Sequence, residues 1–266
     1  MMNTCIFHSV NSGLYLTDGV NGLLVDGVHD GPEQGFSPMP AFLKRQLAEH
    51  TGLFAHVNSA LFTHLHKDHY QKDGVAELLR TLWPPKIYGP SMPETSAAVQ
   101  PLQSGVYWVH LPGIQAFAVD TVHDGAQYRT DPHQSYFVSI GGETFFFAGD
   151  AALSPEDADV FSDIRTRGLT AGFFNLYQLA SPQGQAFIRC LKPERVFLIH
   201  LPFREDDRYH YRSLARQIAK NLPGDIPKAE ILPHMSWIDE KSAPYWNTTG
   251  KEKQINEDAF FRIAQQ

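Results

Sequence analysis

Residues 63–69 read Thr-His-Leu-His-Lys-Asp-His, and His64, His66, Asp68 and His69 crowd into this one segment directly after the apolar run 60–63. That density constrains the fold more than any other feature of the chain. Side chains alternate along an extended segment, so His64 and His66 point the same way and both imidazoles can reach a single ion. Asp68 and His69 follow where the chain must turn, and face a second ion beside the first. Histidine is the commonest metal ligand, so one short segment can seed two sites. Neither is complete, because a catalytic zinc generally takes three protein ligands and leaves a position for water. The fold must therefore bring further ligands, distant in sequence, to the same place.

Three candidates stand at the ends of other apolar strands: His123 after 117–122, Asp150 after 145–149 and His200 after 196–199. Strand ends are rigid and hold ligands well. Of the 13 histidines, His8, His50, His56, His110 and His210 read as packed or surface residues. His29, His133, His234 and Arg204 are weaker candidates for substrate contact or proton donation. Lys67 and Tyr70 read as solvent-side neighbours of the motif.

Short runs rich in Val, Ile, Phe and Tyr predict strands at 23–25, 60–63, 86–88, 106–109, 114–122, 135–140, 144–148 and 195–199. The run Phe145, Phe146, Phe147 reads as a strand covered on both faces. Gly141 and Gly142 predict a hairpin turn. Apolar residues at helical spacing predict helices over 40–50, after Asp73 through Leu79 and Leu82, over 206–222, and from Ser181 and Pro182 to about Leu191. Strands in the middle with helices on either side in sequence suggest mixed sheets covered by helices. No linker, repeat or low-complexity tract marks a boundary, so a single domain over 1–266 is expected, with 240–266 a candidate docked C-terminal tail.

With 42% hydrophobic and 19% charged residues in 266, the chain has the composition of a folded globular protein. Its formal charge of −7 argues against a nucleic-acid partner, since that binding rests on Lys and Arg. No stretch is apolar for long enough to cross a bilayer, and residues 1–13 show neither a basic head nor an apolar run. A cytoplasmic protein with no membrane partner is expected. Cys5 and Cys190 read as inert packing residues.

The order His-x-His-x-Asp-His, then a separate His, Asp and His, resembles the metallo-β-lactamase-fold metal-dependent hydrolases over roughly residues 20–205. The resemblance implies an α/β (α+β) fold, a four-layer αββα sandwich with metals at one edge. It implies that His64, His66 and His123 hold one metal, that Asp68, His69 and His200 hold the other, and that Asp150 bridges both. Leu23 to Gly27 matches the family's early strand followed by Asp, so Asp26 would accept a hydrogen bond from a ligand imidazole and fix its orientation.

Two divalent ions, zinc first with iron or manganese as alternatives, would then lower the pKa of water from 15.7 towards roughly 7. The expected function is a binuclear metallo-hydrolase in which a hydroxide bridging the ions attacks an ester, lactone or phosphodiester bond of a small, anionic or neutral substrate. Asp68 would orient that hydroxide and Asp150 would hold the ions together. True β-lactamases of this fold generally place Cys or Ser where Asp150 stands, so the lactonase and phosphodiesterase-like branches are nearer. Two alternatives compete: an iron-dependent oxidoreductase on the same fold, and a non-catalytic metal-binding regulatory module. Iron enzymes that pair the cage with flavin typically carry Glu at the position of His66 and an additional flavin domain, and this chain shows neither.

Overall fold

Successive side chains on one strand enter different cores. In β10 (Glu143–Phe147), Phe145 and Phe147 point to one side and Phe146 to the other, all three buried. A strand apolar at every position must be covered on both faces, and this alternation organises the molecule. The structure, a computed structural model, describes residues 4–31, 35–81, 86–160 and 168–238.

Two sheets form. The first has the order β14 (Ser236–Trp237), β1 (Cys5–His8), β2 (Leu14–Thr17), β3 (Gly22–Val25), β4 (Val57–Leu61), β5 (Lys86–Tyr88). The second runs β13 (Ala229–Ile231), β12 (Arg195–Leu198), β11 (Ala171–Phe174), β10, β9 (Pro132–Ile140), β8 (Ile114–Val122), β7 (Val106–Leu111), β6 (Ala98–Gln103). Leu14, Leu16, Leu23, Val25 and Leu61 of the first sheet meet Ala116, Val138, Phe145, Phe173 and Phe197 of the second in a central core. The outer face of the first sheet packs on α1 (Ala41–Glu49) and α2 (Lys72–Thr81) through Tyr15, Leu24, Phe62, Leu43 and Leu78. The outer face of the second carries α3 (Asp157–Val160), α4 (Leu176–Ala180), α5 (Pro182–Leu191) and α6 (Tyr211–Asn221). The layers are therefore α, β, β and α.

Strands β10 to β13 are parallel, as are β3, β4 and β5. Phe147, Phe173 and Phe197 lie in register on β10, β11 and β12. Their rings stack, 5.0 Å and 5.2 Å between centroids. This ladder aligns the three strands, so the residues just past them, Asp150, Asn175 and His200, emerge at one edge. Asp26 after β3 and the 63–69 segment after β4 come from the other sheet.

The hairpin turn forms at Gly141 and Gly142, closed by Ile140 opposite Glu143. Both glycines have positive φ, 60° and 85°, as a two-residue type I′ turn requires. The helix expected over 206–222 begins only at Tyr211. The Asp207 carboxylate accepts from the backbone N–H groups of Tyr211 and Arg212, and by satisfying those first donors it sets the start of the helix. Strands β1, β2, β6, β11, β13 and β14 and the short helices α3 and α4 were not anticipated from sequence. The candidate tail over 240–266 lies outside the described residues.

Removing one rung of the ladder tests its contribution. Phe173 is 1% exposed, so Phe173→Ala should lower unfolding stability by about 3–5 kcal/mol in denaturant titration. A loss below about 1 kcal/mol would show that the ladder does not hold the parallel strands.

Candidate metal centre

All seven residues singled out in the motif and at the strand ends come together. His64, His66 and His123 form one group and Asp68, His69, Asp150 and His200 a second, each group with its ligand-type atoms within 4.8 Å of one another. The imidazole centroids in the first group lie 4.5 to 4.7 Å apart. Asp150 Oδ2 stands between the groups, 4.0 Å from His64 Nε2 and 3.5 Å from His69 Nε2. Asp68 Oδ2 lies 3.0 Å from His200 Nε2 and 3.6 Å from His69 Nε2.

Hydrogen bonds on the outer side of the His64, His66, His69 and His123 rings determine which nitrogen faces inward. Asp26 accepts from the Thr63 backbone N–H through Oδ1 (2.8 Å), and from Thr63 Oγ1 (2.8 Å) and His69 Nδ1 (2.9 Å) through Oδ2. That leaves the His69 Nε2 lone pair directed at the second group. Having given its proton to Asp26, Thr63 Oγ1 accepts from His64 Nδ1 at 3.1 Å. His123 Nδ1 donates to the Asp124 carbonyl (2.6 Å) and His66 Nε2 to Asp131 (3.0 Å). Asp131 was not among the residues singled out from sequence. The inward nitrogens of His64 and His123 are buried and have no hydrogen-bond partner among the described residues.

Buried lone pairs without donors cost free energy unless something positive meets them. The charges point the same way. Burial opposes a charge on His69, yet the carboxylates of Asp68, Asp26 and Asp150 hold its pKa well above the ordinary value. Burial likewise opposes charge on Asp150, but His200, His69 and His64 pull its pKa well below the carboxylate range. The centre thus favours positive charge within it. Imidazole nitrogens with carboxylate oxygens suit zinc, iron or manganese, so the residues present fit divalent metal ions.

Backbone geometry shows how tightly the site is assembled. Asp26 and His200 hold left-handed conformations, φ 48° and 63°, a cost of order 1–3 kcal/mol each that surrounding contacts must offset. The His200 N–H bonds to the Asn11 carbonyl at 2.8 Å, and the Asp26 N–H to the Leu61 carbonyl at 3.0 Å. Gly149 has φ 57°, and a Cβ there would meet Thr63 Cβ at 2.6 Å and His133 Nε2 at 2.7 Å.

The weaker candidates are also placed. His133 is buried, and its Nε2 accepts from the Asp150 backbone N–H at 2.9 Å, so it supports the site from beneath instead of contacting substrate. His29 is buried, with both ring nitrogens lacking a partner among the described residues. His234 Nδ1 accepts from Arg212, away from the seven. Tyr70 donates to Glu94 and packs edge-on against Phe62, so it is a structural neighbour. Arg204 is exposed on the loop after β12. Sequence reading missed Asn175 and Gln178. Asn175 Nδ2 donates to Asp150 Oδ1 at 3.0 Å, and Gln178 Nε2 donates to the carbonyls of Gly149 and Ala151 at 3.0 and 2.9 Å. An Asn followed three residues later by Gln, just after an apolar run, was the available signal.

Two measurements follow from this geometry. Asp26→Asn should weaken metal affinity about 10–100-fold by competition with a chromophoric chelator, the range for residues that orient ligands; unchanged affinity would remove Asp26 from that role. Burial depresses His29 to about 3, whereas an unfolded histidine takes its proton near 6.5. Its contribution to stability is therefore complete above about pH 6.5 and falls away as the pH drops towards 3, costing about 2 kcal/mol by pH 5. In metal-free protein, His29→Leu should lose less stability than wild type between pH 7.5 and 5 by about that amount. Equal losses would contradict the buried neutral ring.

No protein-family profile matches the chain, and no curated protein matches it. Solved structures do. The metallo-β-lactamase fold protein YhfI of Bacillus subtilis is 15% identical, with 88% of this chain and 96% of that one covered, at a TM-score of 0.54. A protein of Veillonella parvula described as a possible metal-dependent hydrolase is 14% identical over 90% of this chain and 99% of that one, TM-score 0.59. CmlA, a diiron β-hydroxylase of Streptomyces venezuelae, is 13% identical over 90% of this chain but 54% of its own, TM-score 0.55. With the four layers, the order of the strands and these likenesses together, the chain has the metallo-β-lactamase fold.

Proposed function

We propose that this chain is a metal-dependent hydrolase with a binuclear centre, acting on an ester, lactone or phosphodiester bond of a small molecule. The observation that carries the reading is Asp150 Oδ2, placed between two adjacent groups of inward-facing donors. His64, His66 and His123 would hold one ion, Asp68, His69 and His200 the other, and Asp150 both. Divalent ions bound there supply hydroxide at neutral pH and positive charge for a developing oxyanion.

The remaining work falls to the protein. Asp26, Thr63, Asp124 and Asp131 fix the tautomers of His69, His64, His123 and His66, so the inward nitrogens of these four rings offer lone pairs. Asp68, 9% exposed at its side chain and 3.0 Å from His200, would accept a hydrogen bond from the attacking hydroxide and orient it. The ring of Phe36 stacks on His200 at 4.2 Å, and Tyr128 lies 4.9 Å from His66 and 5.2 Å from His123. These rings put apolar surface on two flanks of the donor groups, where a lower local dielectric strengthens electrostatic interactions. The formal charge of −7 fits a small-molecule substrate better than nucleic acid, and no described helix is long and apolar enough to cross a membrane.

A second reading draws on CmlA, a diiron β-hydroxylase that this chain resembles over 54% of its length: this chain would then bind iron and consume oxygen. Metal analysis and an oxygen electrode distinguish the two.

On metal-quantified protein, a panel of esters, lactones and phosphodiesters should reveal at least one substrate whose turnover a chelator abolishes and added divalent metal restores. Asp150→Ala should lower that turnover by more than about 100-fold, beyond the loss expected for a residue that only orients ligands, and reduce bound metal. Full metal content and turnover in Asp150→Ala would refute the binuclear reading. Oxygen uptake with iron and none of the hydrolytic activities would replace it with the second.

A further inference from the structure

Asp150 has two carboxylate oxygens, and their surroundings differ. Oδ2 faces His64 and His69, one from each donor group, while Oδ1 receives the amide of Asn175 at 3.0 Å and meets only the second group, 3.3 Å from His200 Nδ1. Which end of the Asn175 amide points at Asp150 is dictated from behind. Its Oδ1 accepts from the backbone N–H groups of Tyr177 and Gln178, both at 3.0 Å, as the N-cap of α4, so Nδ2 is the end left to face the carboxylate. Gln178 completes the capping box by accepting the Asn175 N–H at 2.9 Å. Its own amide then holds the carbonyls on either side of Asp150.

The backbone of Asp150 is held as well. Its N–H donates to His133 Nε2, and its carbonyl accepts from the Asp124 N–H at 2.7 Å. With Nε2 accepting, the His133 proton sits on Nδ1 and is donated to Thr121 Oγ1 at 2.7 Å. Thr121 Oγ1 donates in turn to Ser135 Oγ at 3.3 Å, and Ser135 to the Ala148 carbonyl at 2.9 Å. Each donor in this chain has one acceptor, so the imidazole has one orientation and one tautomer.

We infer that Asn175, backed by Gln178 and His133, is a positioning residue that occupies Asp150 Oδ1 and so reserves Oδ2 as the one oxygen shared between the two donor groups. This rests on the binuclear reading above. A carboxylate free to swing would offer Oδ1 to one ion and Oδ2 to the other, at a longer spacing. The Asn175 amide prevents that by keeping Oδ1 hydrogen-bonded, and the α4 cap ties the orientation to the fold of the second sheet.

The test separates the cap from the amide. Asn175→Ser retains an N-cap acceptor but has no NH2 to give Asp150. Zinc affinity and stoichiometry are measured by chelator competition, and the cobalt-substituted protein is examined by EPR for coupling between the ions. We expect the metal-free variant to melt within a few degrees of wild type, the weaker of the two zinc affinities to fall about 10–100-fold, and the cobalt coupling to change. Wild-type affinities and an unaltered cobalt spectrum in a folded Asn175→Ser overturn the inference. If that variant does not fold, the same measurements on Asn175→Asp decide. It keeps the N-cap acceptor and has no NH2 for Asp150, and wild-type metal binding there overturns the inference equally. Wild-type protein that binds only one ion would instead defeat the binuclear reading itself.

Discussion

Five imidazoles and two carboxylates gathered out of water cost free energy wherever a polar atom lacks a partner, and a chain that gathers them must offset that cost throughout its surroundings. Here much of the hold comes from hydrogen bonds on the far side of the His64, His66, His69 and His123 rings. Asp26 alone accepts from Thr63 twice and from His69 once, and through Thr63 it also sets the tautomer of His64. A buried carboxylate with three donors is well satisfied, whereas removing it would strand all three. The arrangement of the donor groups is thus held by the end of β3 as much as by the motif itself.

The two sheets divide the labour. The first delivers Asp26 and the 63–69 segment from adjacent parallel strands, paired Val25 to Leu61. The second delivers His123 from the end of β8, and Asp150, Asn175 and His200 from three strands whose heights are matched by the stacked phenylalanines. Apolar packing between the sheets therefore decides whether polar atoms meet at the edge, which couples stability to site geometry directly.

The layered architecture and the seven convergent residues were legible because their signals are local and dense: four donors in 63–69, and continuous apolar runs such as 145–147 that demand cover on both faces. What escaped has physical reasons. Strand β6 carries Pro101 and exposed residues at every position, and β11 has four residues, one of them glycine, so neither shows a period. Asn175 reads in sequence as a turn residue, because its amide has meaning only once Asp150 arrives from β10. His133 was weighed for substrate contact since nothing in its neighbourhood reveals that its ring lies beneath the Asp150 backbone. The start of α6 slipped from 206 to 211 because Asp207 caps the helix, which periodicity does not register.

Gly149 deserves to be viewed through the lens of mutation. It has no side chain and offers the site only a carbonyl held by Gln178, yet Thr63 from one sheet and His133 from the other close over it so nearly that a single methyl group would collide with both. A survey of tolerated substitutions would rank this position with the histidines, and a reader of such a survey alone would assign it chemistry. Its intolerance would record a shortage of space, and a left-handed backbone, where residues from the two sheets meet.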